Sequence, residues 1–380
     1  MVAKIINKGR QFIQHGDNVI TLPYTMSTNN FLSILTIHLP RLFDMDVTTR
    51  GPGHSPGETG TPPQKASGNM TITARPSSNS VTGTNTRLLV RLHGGYGYTS
   101  GGSDIIGFNS NINERFDDIA NSQVARTVIT TRTELAGYSL NGFGFTSGGN
   151  IFVATGLTER FDEVINSQTQ RANITAVQGN NGYSINGFGF SSCGLVGGPP
   201  VGITERFDDV TNSVTTRTAA TPRFEIATYG LNGFGFTNCG FDGFVNLGTI
   251  EKFDDVTNSQ STRAAATARA TPTGYSINGY GFTSGGFIAA NTGLTERFDD
   301  VVNSQSVRAS ITPRQIPSGY SLNGFGFVSG GFIAAATGLT ERFDDVANIA
   351  PIARTNITAR YFAAGYSTNE YFVNYRCYNE

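Results

Sequence analysis

Tryptophan is absent from the 380 residues, and charged residues make up only 14% of them. The formal net charge is −1 and the pI is near 6.4, so bulk charge favours no polyanion, and we expect no nucleic-acid partner. The four histidines lie early in the chain, at His15, His38, His54 and His93. The rest of the chain therefore lacks the commonest metal ligand and general base, and we expect no metal and no cofactor.

Cysteine is also scarce, with Cys193, Cys239 and Cys377 at no CxxC spacing. An odd number of cysteines fits no simple disulfide framework. Cys193 and Cys239 occupy the same place in two successive repeats, where other copies have glycine. We interpret both as small residues on a strand rather than as redox centres.

Long apolar runs are missing as well. No stretch of about 18 apolar residues occurs, and the opening MVAKIINKGRQF lacks the apolar core and cleavage site of a secretory signal. We expect synthesis in a host cytoplasm and no membrane insertion. Export would then need another route, such as assembly into a virus particle that leaves by lysis.

Glycine (47 residues), with threonine, serine and asparagine, is abundant, and phenylalanine (27) and tyrosine (14) supply the bulky apolar side chains. Turn formers mixed with aromatic and β-branched residues are typical of short strands joined by many turns. The composition therefore predicts an all-β protein.

Residues 1–93 do not repeat. Segments such as DNVITLPY (17–24) and NTRLLVRLH (85–93) are short, β-branched and bounded by turn formers, which predicts a small β-sandwich-like domain. Within it, RGPGHSPGETGTPPQKASG (50–68) is rich in proline and glycine and predicts a long mobile loop. This loop is either a plain linker or an arm that orders against a neighbouring subunit.

A periodic region begins near Gly95, so we place the domain boundary at 93/94 and a repeat domain over 94–380. One aromatic of each unit recurs at spacings of 45 or 46 residues, at Phe116, Phe161, Phe207, Phe253, Phe298 and Phe343. A constant period indicates units stacked at fixed geometry rather than modules on variable linkers.

Each unit contains four strand-like segments. GYSINGYGF (274–282) gives two strands around a turn, LTERFDD alternates with a period of two, and SVRAS follows a turn at Asn303 and Ser304. Four strands in about 45 residues predict one blade of a β-propeller.

The order of motifs resembles a kelch repeat: a glycine pair, then Glu-Arg-Phe-Asp, then Asn-Ser, then an arginine. The resemblance covers about residues 95–378 and implies a kelch-like propeller. Kelch repeats usually start the fourth strand with tryptophan, whereas this chain has Gln123, Gln168, Val214, Gln260, Gln305 and Ile349. The set is therefore a divergent one.

The ends of the repeat region bear on how the ring closes. The first unit begins at the second-strand position, and ARYFAAGYSTNEYFVNYRCY (359–378) restarts the pattern at the other end. We therefore favour six blades, with a C-terminal strand latched beside the first unit. The alternative is a seventh blade built from this tail and strands near 70–92.

The repeated charged cluster, for example Glu159, Arg160, Asp162 and Glu163, offers paired carboxylates beside an arginine. A catalytic site is needed once, whereas this set occurs six times. We interpret it as arginine–carboxylate pairs and aspartates that cap turns.

A second arginine set lies six residues after the arginine that ends each unit, except that Val177 follows Arg171. Its members, called here the arginine set, are Arg132, Arg223, Arg269, Arg314 and Arg360. These side chains either bond carbonyls and carboxylates between blades or ring one mouth of the channel and bind an anionic ligand such as a sugar acid.

The segment between the glycine pair and TERF varies most, as in NIFVATGL (150–157) and FDGFVNLGT (241–249). Loops on a rigid scaffold often carry function. Their apolar residues either pack on their own blade or form an interaction surface. The candidate interaction residues are Ile151, Phe152, Phe244, Phe287, Ile288, Phe332 and Ile333.

Enzymatic motifs are missing. There is no G-x-S-x-G elbow, no lysine after the glycines of NGFGFTSGG, and neither the histidines of kelch-like copper oxidases nor the tryptophan of sialidase aspartate boxes. We expect no catalytic residues and a protein that is not an enzyme. A sugar-acting propeller enzyme is the least favoured alternative.

The segment INKGRQFIQHGDNVITLPYTMSTNNFLSILTIHL (6–39) resembles N-terminal domains of bacteriophage tail and virion proteins. This resemblance implies a structural protein of the virion, on the tail, a tail fibre or the capsid surface. Residues 1–93 would attach it to other subunits as a homo-oligomer, and the propeller would present loops to a host-surface glycan or protein. The alternative is a bacterial extracellular adhesin or appendage subunit.

Overall fold

The computed structural model describes residues 95–368 in full, and outside them it gives strands only. The chain divides into two compact units, Met1–Gly95 with Asn369–Glu380, and Tyr96–Thr368. The described residues form no helix, so none of them belongs to a helix long and apolar enough to cross a membrane.

The first unit contains a five-stranded sheet and two two-stranded sheets. The five-stranded sheet has the order Val2–Lys4, Tyr371–Cys377, Thr86–His93, Asp44–Thr49 and Gln64–Ser67. The two-stranded sheets pair Gln11–His15 with Asn18–Leu22, and Leu35–Ile37 with Met70–Ile72. The side chains of this unit lie outside the described residues, so its sandwich-like character stays a prediction.

One expectation for this unit is corrected. The proline- and glycine-rich loop was predicted to run over 50–68, but Gln64–Ser67 is a strand that pairs with Asp44–Val47. Backbone hydrogen bonds to a neighbouring strand need no apolar side chains, which explains why composition missed it. Residues 50–63 lie outside the described residues.

The second unit is a six-bladed β-propeller, which confirms the favoured prediction over seven blades. Every blade is a four-stranded antiparallel sheet. Blade 1 contains Ala364–Thr368, Tyr96–Ser100, Asn113–Asp117 and Ser122–Arg126. Blade 2 contains Ala136–Leu140, Phe143–Ser147, Thr158–Asp162 and Ser167–Arg171; blade 3 contains Asn181–Ile185, Phe188–Leu195, Pro200–Asp208 and Ser213–Arg217. Blade 4 contains Ala227–Leu231, Phe234–Asn238, Ile250–Asp254 and Ser259–Arg263; blade 5 contains Thr273–Ile277, Tyr280–Ser284, Thr295–Asp299 and Ser304–Arg308; blade 6 contains Ser318–Leu322, Phe325–Ser329, Thr340–Phe343 and Ile352–Arg354.

Blade 1 is assembled from both ends of the propeller sequence. Its first strand, Ala364–Thr368, pairs antiparallel with Tyr96–Ser100, from Ala364 opposite Ser100 to Thr368 opposite Tyr96. The ring therefore closes through hydrogen bonds between the last and the first strands, which leaves no open blade edge at this point.

Aromatic rings join the blades into a closed series. Within a blade, the tyrosine of the first strand stacks on an aromatic ring of the second strand, as Tyr138 does on Phe145 at 5.3 Å. That second-strand ring contacts the phenylalanine of the third strand in the next blade. The six contacts are Phe145–Phe207, Phe190–Phe253, Phe236–Phe298, Phe282–Phe343, Phe327–Phe116 and Tyr98–Phe161, at centroid distances from 5.3 to 5.6 Å.

The same tyrosine explains the glycine between the two aromatics of GFGF. A Cβ at Gly281 would overlap the ring of Tyr229, which comes from the preceding blade. The arrangement recurs six times, with Tyr366 on Gly144, Tyr138 on Gly189, Tyr183 on Gly235, Tyr275 on Gly326 and Tyr320 on Gly97. Glycine is needed here for space, because each tyrosine ring occupies the place that a side chain on the neighbouring strand would take.

The charged cluster is structural, as predicted. Arg160 and Arg171 of blade 2 both contact Asp209 of blade 3, at 3.4 and 2.7 Å. The preceding aspartate, Asp208, accepts backbone hydrogen bonds from Val210 and Thr211 and so caps the turn. Equivalent contacts across the closing blades join Arg342 and Arg354 to Asp118.

The two described cysteines are free and buried. Both have left-handed backbone, with φ of 59° at Cys193 and 57° at Cys239, where other repeats use the first glycine of the pair. Burial raises the pKa of each thiol to about 11, so the unreactive thiol predominates at neutral pH.

We predict that Gly281→Ala lowers the free energy of unfolding by about 2–3 kcal/mol, because the added methyl group displaces the Tyr229 ring. Urea denaturation followed by tyrosine fluorescence measures the loss. In a Tyr229→Ala background the same methyl group meets open space, so the cost should fall to less than about 1 kcal/mol. An equal cost in both backgrounds contradicts the packing argument.

Candidate functional site at the loop end of the propeller

Two kinds of connection leave each blade at the same end. In blade 2, Ala136 lies opposite Ser147, and Ser147 lies opposite Thr158. The start of the first strand therefore lies beside the loop that joins the second and third strands. We call this the loop end, and the turns between the third and fourth strands lie at the opposite end.

In the loops between the second and third strands, polar side chains close short turns and leave apolar residues exposed to solvent. The Asn150 side chain accepts the backbone N–H of Phe152 at 2.7 Å, and Asp242 accepts those of Phe244 and Val245 at 2.8 Å. Phe152 is 95% exposed and Phe244 is 90% exposed. Apolar rings presented in this way to solvent are unusual for a folded surface and typical of contact sites.

The predicted interaction residues divide into three groups by exposure. Phe152 and Phe244 are almost fully exposed, whereas Phe287, Ile288 and Ile333 are from 37% to 44% exposed. Ile151 and Phe332 are half-buried. Some of these side chains therefore pack on their blade and others face solvent, and an interaction surface formed by the exposed ones stays a prediction.

The loop of blade 1 carries three exposed residues that sequence reasoning missed. Ile105, Ile106 and Phe108 are from 66% to 72% exposed, and the Asp104 side chain accepts the backbone N–H of Ile106 and of Phe108. The sequence does carry a signal for such loops: an Asp or Asn stands just before the apolar residues at the loop tip, and these side chains close turns.

Phe152 also has a strained backbone, with φ of 139°. Bulky residues rarely adopt positive φ, and such strain persists only where the surroundings impose it. The bond from Phe152 N–H to Asn150 and the bond from Ile151 N–H to the Val153 carbonyl hold this conformation. These bonds hold the backbone that carries the ring, and the ring itself faces solvent.

The arginine set lies inside the blades, not at the channel mouth. All five side chains are 0% or 1% exposed. Each donates to a carbonyl of the second strand, as Arg269 does to Thr283 at 3.0 Å, and each pairs with a third-strand glutamate. The other pairs are Arg132–Glu159, Arg223–Glu251, Arg314–Glu341 and Arg360–Glu114.

This geometry corrects the ligand-binding prediction for Arg132, Arg223, Arg269, Arg314 and Arg360. Their guanidinium groups are shielded from solvent and already paired with carboxylates, so an anion from outside has no access to them. Sequence spacing alone placed them near the channel, but it does not give side-chain direction. Burial outweighs the charge of Glu159 and lowers the pKa of Arg132 to about 10.

Blade 3 shows what replaces the missing arginine. Val177 is buried, and the Asn180 amide instead donates to Ser191 Oγ and to the Ser147 carbonyl. Glu205 keeps the bonds from the Thr175 N–H and hydroxyl. The glutamate–threonine contact is therefore common to all blades, and the arginine is an addition to it.

A closed ring of backbone hydrogen bonds surrounds the axis at the loop end. Each blade contributes one residue, two positions before its first strand, and each N–H donates to the carbonyl of the previous member at 3.0 to 3.4 Å. All six have positive φ between 55° and 64°. We call this the channel ring: Glu134, Gly179, Glu225, Thr271, Ile316 and Phe362.

The channel ring opens on a cavity lined by residues of all six first strands or of the segments that lead into them. Both of its carboxyl groups have raised pKa values. Burial raises the pKa of Glu134, and burial together with the nearby Glu134 charge raises the pKa of Glu225 to about 7. Neither side chain has a hydrogen-bonding or ion-pairing partner among the described residues.

Sequence reasoning missed the channel ring. Its members differ from blade to blade, so no repeat pattern marks them, and their place depends on contacts between residues about 45 positions apart. The available signal was variability itself: the position two after each member of the arginine set, or after Val177 in blade 3, changes among Glu, Gly, Thr, Ile and Phe.

The protein is thus a six-bladed β-propeller whose residues differ from blade to blade at the loop end. Among solved structures, the chain is similar to YjhT, with 10% sequence identity and a TM-score of 0.53 over 69% of this chain and 98% of YjhT. At this identity the similarity supports the fold alone. No protein-family model and no curated protein matches the sequence.

We predict that Arg269→Met lowers the free energy of unfolding by about 3–5 kcal/mol, because Glu296 then lacks its buried partner. Arg263→Met is the matched control, since Arg263 pairs with Asp300 but is 24% exposed, and it should cost at most about 1 kcal/mol. Adding Glu296→Gln to Arg269→Met should recover part of the loss. Urea titrations of all variants measure the free energy of unfolding. Equal losses for Arg269→Met and Arg263→Met would contradict the argument from burial.

We predict a pH-dependent gain in stability for Glu225→Gln. The folded pKa of Glu225 is about 7 against an ordinary value of 4.5, so the wild type loses stability as pH rises between these values. Above pH 7 the variant should be more stable than the wild type by up to about 3 kcal/mol, and near pH 4 the two should be equal. Urea denaturation at several pH values measures the difference.

Asp242→Asn serves as the control for this titration, because the pKa of Asp242 is lowered by backbone hydrogen bonds from Val245 and Phe244. That variant should show no gain at high pH. A constant difference between Glu225→Gln and wild type at every pH would refute the assignment.

Proposed function

We propose that the chain is a non-enzymatic structural and attachment protein of a bacteriophage virion, on the tail or capsid surface. Residues 1–93 would join it to other virion subunits as a homo-oligomer, and the propeller would present its loop end to a host-surface glycan or protein. Localisation on the virion is part of this proposal.

One observation carries the binding part of the proposal: exposed aromatic side chains at one end of a closed ring, on loops that side-chain hydrogen bonds close. Phe152 and Phe244 come from blades 2 and 4, and Phe108 from blade 1 is 68% exposed. Aromatic side chains supply large contact areas with little entropy loss and are enriched in binding surfaces. They also stack on sugar rings through apolar contact.

The blades that hold these loops are strongly cross-linked by aromatic contacts and ion pairs. A rigid frame keeps several weak contacts in fixed relative positions, which suits multivalent attachment to a repetitive surface. This supports a presenting role for the propeller.

We also propose that the repeats are divergent kelch repeats. The glycine pair closes the second strand with φ of 71° at Gly148 and 101° at Gly149. The third strand carries Arg160 and Phe161, and it ends in Asp162. These are the motif positions on which the resemblance rests.

The alternative is an extracellular bacterial adhesin or appendage subunit, which would use the same loop end. Immunoblotting of gradient-purified particles with antibody to this chain separates the two. The proposal expects the chain to co-migrate with phage capsid and tail proteins. Recovery from particle-free cell envelopes instead supports the adhesin, and recovery only as a freely diffusing protein overturns both.

We predict that Phe152→Ser with Phe244→Ser weakens binding of the full chain to host cells or arrayed surface glycans by about tenfold or more, because two exposed aromatic contacts are lost. Val256→Ser is the control. Val256 is 86% exposed in a turn between the third and fourth strands, away from the loop end, and its variant should bind like wild type. Equal binding by both variants contradicts the proposed role of the loop end.

A further inference from the structure

We infer that the channel ring binds the protonated amine of a small organic molecule, with Glu134, Glu225 and Thr271 as acceptors and Ile316 and Phe362 against its apolar stem. This inference does not rest on the proposed attachment function. It concerns the axis of the propeller, whereas attachment concerns the loops around it.

The first observation is the pair of free carboxylates. Glu134 and Glu225 lie on either side of Gly179 in the channel ring, and the glycine leaves the space between them without a side chain. Both carboxylates are half-buried and have no partner among the described residues, and their mutual repulsion is unrelieved. A cation between them would give both carboxylates a partner and would cancel the repulsion between their charges.

The second observation is independent of charge and concerns Thr271, the next member of the ring. Thr271 is only 7% exposed, and its hydroxyl oxygen is buried without a hydrogen-bond partner. Its φ of 55° equals that of Glu225, so its Cβ leaves the backbone in the corresponding direction, into the cavity that both line. A buried hydroxyl left unsatisfied in this way is a position for a ligand atom.

The third observation is the sidedness of the channel ring. Going round the axis, Glu134, Gly179, Glu225 and Thr271 are consecutive, and Ile316 and Phe362 complete the circle. One part of the wall therefore offers oxygen acceptors, and the other offers an aliphatic and an aromatic side chain. A ligand with a charged group at one end and an apolar stem at the other matches both parts.

The number of acceptors favours an ammonium group over a metal ion. A primary ammonium group has three N–H donors, which equals the two carboxylates and one hydroxyl on the ring. Calcium takes about six to eight oxygen ligands, more than these three side chains supply.

The test is isothermal titration calorimetry of the full chain at pH 8 with n-pentylamine, and with 1-pentanol as its neutral analogue. Wild type should bind pentylamine at least about tenfold more tightly than pentanol. The double variant Glu134→Gln, Glu225→Gln should lose at least about tenfold in affinity for the amine. Thr271→Val should lose a smaller factor, about threefold.

The matched control is the double variant Asp104→Asn, Asp242→Asn. It removes two negative charges from the same end of the propeller while the asparagines keep the oxygens that close the loops. It should bind pentylamine as wild type does. Circular dichroism of each variant verifies that the propeller remains folded.

Three results would overturn the inference: equal affinities for amine and alcohol, unchanged amine binding by the glutamine double variant in its folded form, or equal losses in the glutamine and asparagine double variants. Calcium chloride is titrated in parallel. Calcium binding that depends on Glu134 and Glu225, without amine binding, identifies a metal site and also refutes the amine assignment.

Discussion

The placement of each tyrosine ring on a glycine of the next blade is the contact on which the propeller depends. Because the Tyr229 ring occupies the space that a side chain at Gly281 would fill, the two blades approach closely enough for Phe236 to reach Phe298 at 5.5 Å. The spacing set by this contact also brings Lys252 and Arg263 within reach of Asp300. Repeated six times, one small residue and one large one fix the geometry of the whole ring.

The residue positions that repeat from blade to blade and the positions that vary lie in different parts of the propeller. The repeated positions form the walls between blades and, in five of the six blades, the buried arginine–glutamate pairs. The variable positions, the loops and the channel ring, lie together at the loop end. The same backbone thus supports different side chains at each of six angular positions without a change in packing.

The sequence predicted the blades well because their pattern is local: period-two strands, turn residues and a constant spacing are readable within one unit. It also predicted that the charged cluster is structural. It failed where side-chain direction or distant contacts decide. For Arg269 it left two alternatives open, and the structure realises bonds to a carbonyl and a carboxylate, those of Thr283 and Glu296, rather than a place at the channel mouth. The channel ring was missed because it joins residues such as Glu225 and Thr271 that lie in separate units.

The strand Ala364–Thr368 completes blade 1, although it leaves the ribosome after every other strand of the propeller. During synthesis, blades 2 to 6 have their own four strands as soon as each is made, whereas Tyr96–Ser100 waits with one edge unpaired. That exposed edge is open to strands of neighbouring nascent chains for the whole of this interval. A pause in translation before residue 364 would therefore favour exchange of this last strand between chains, and linked rings would result.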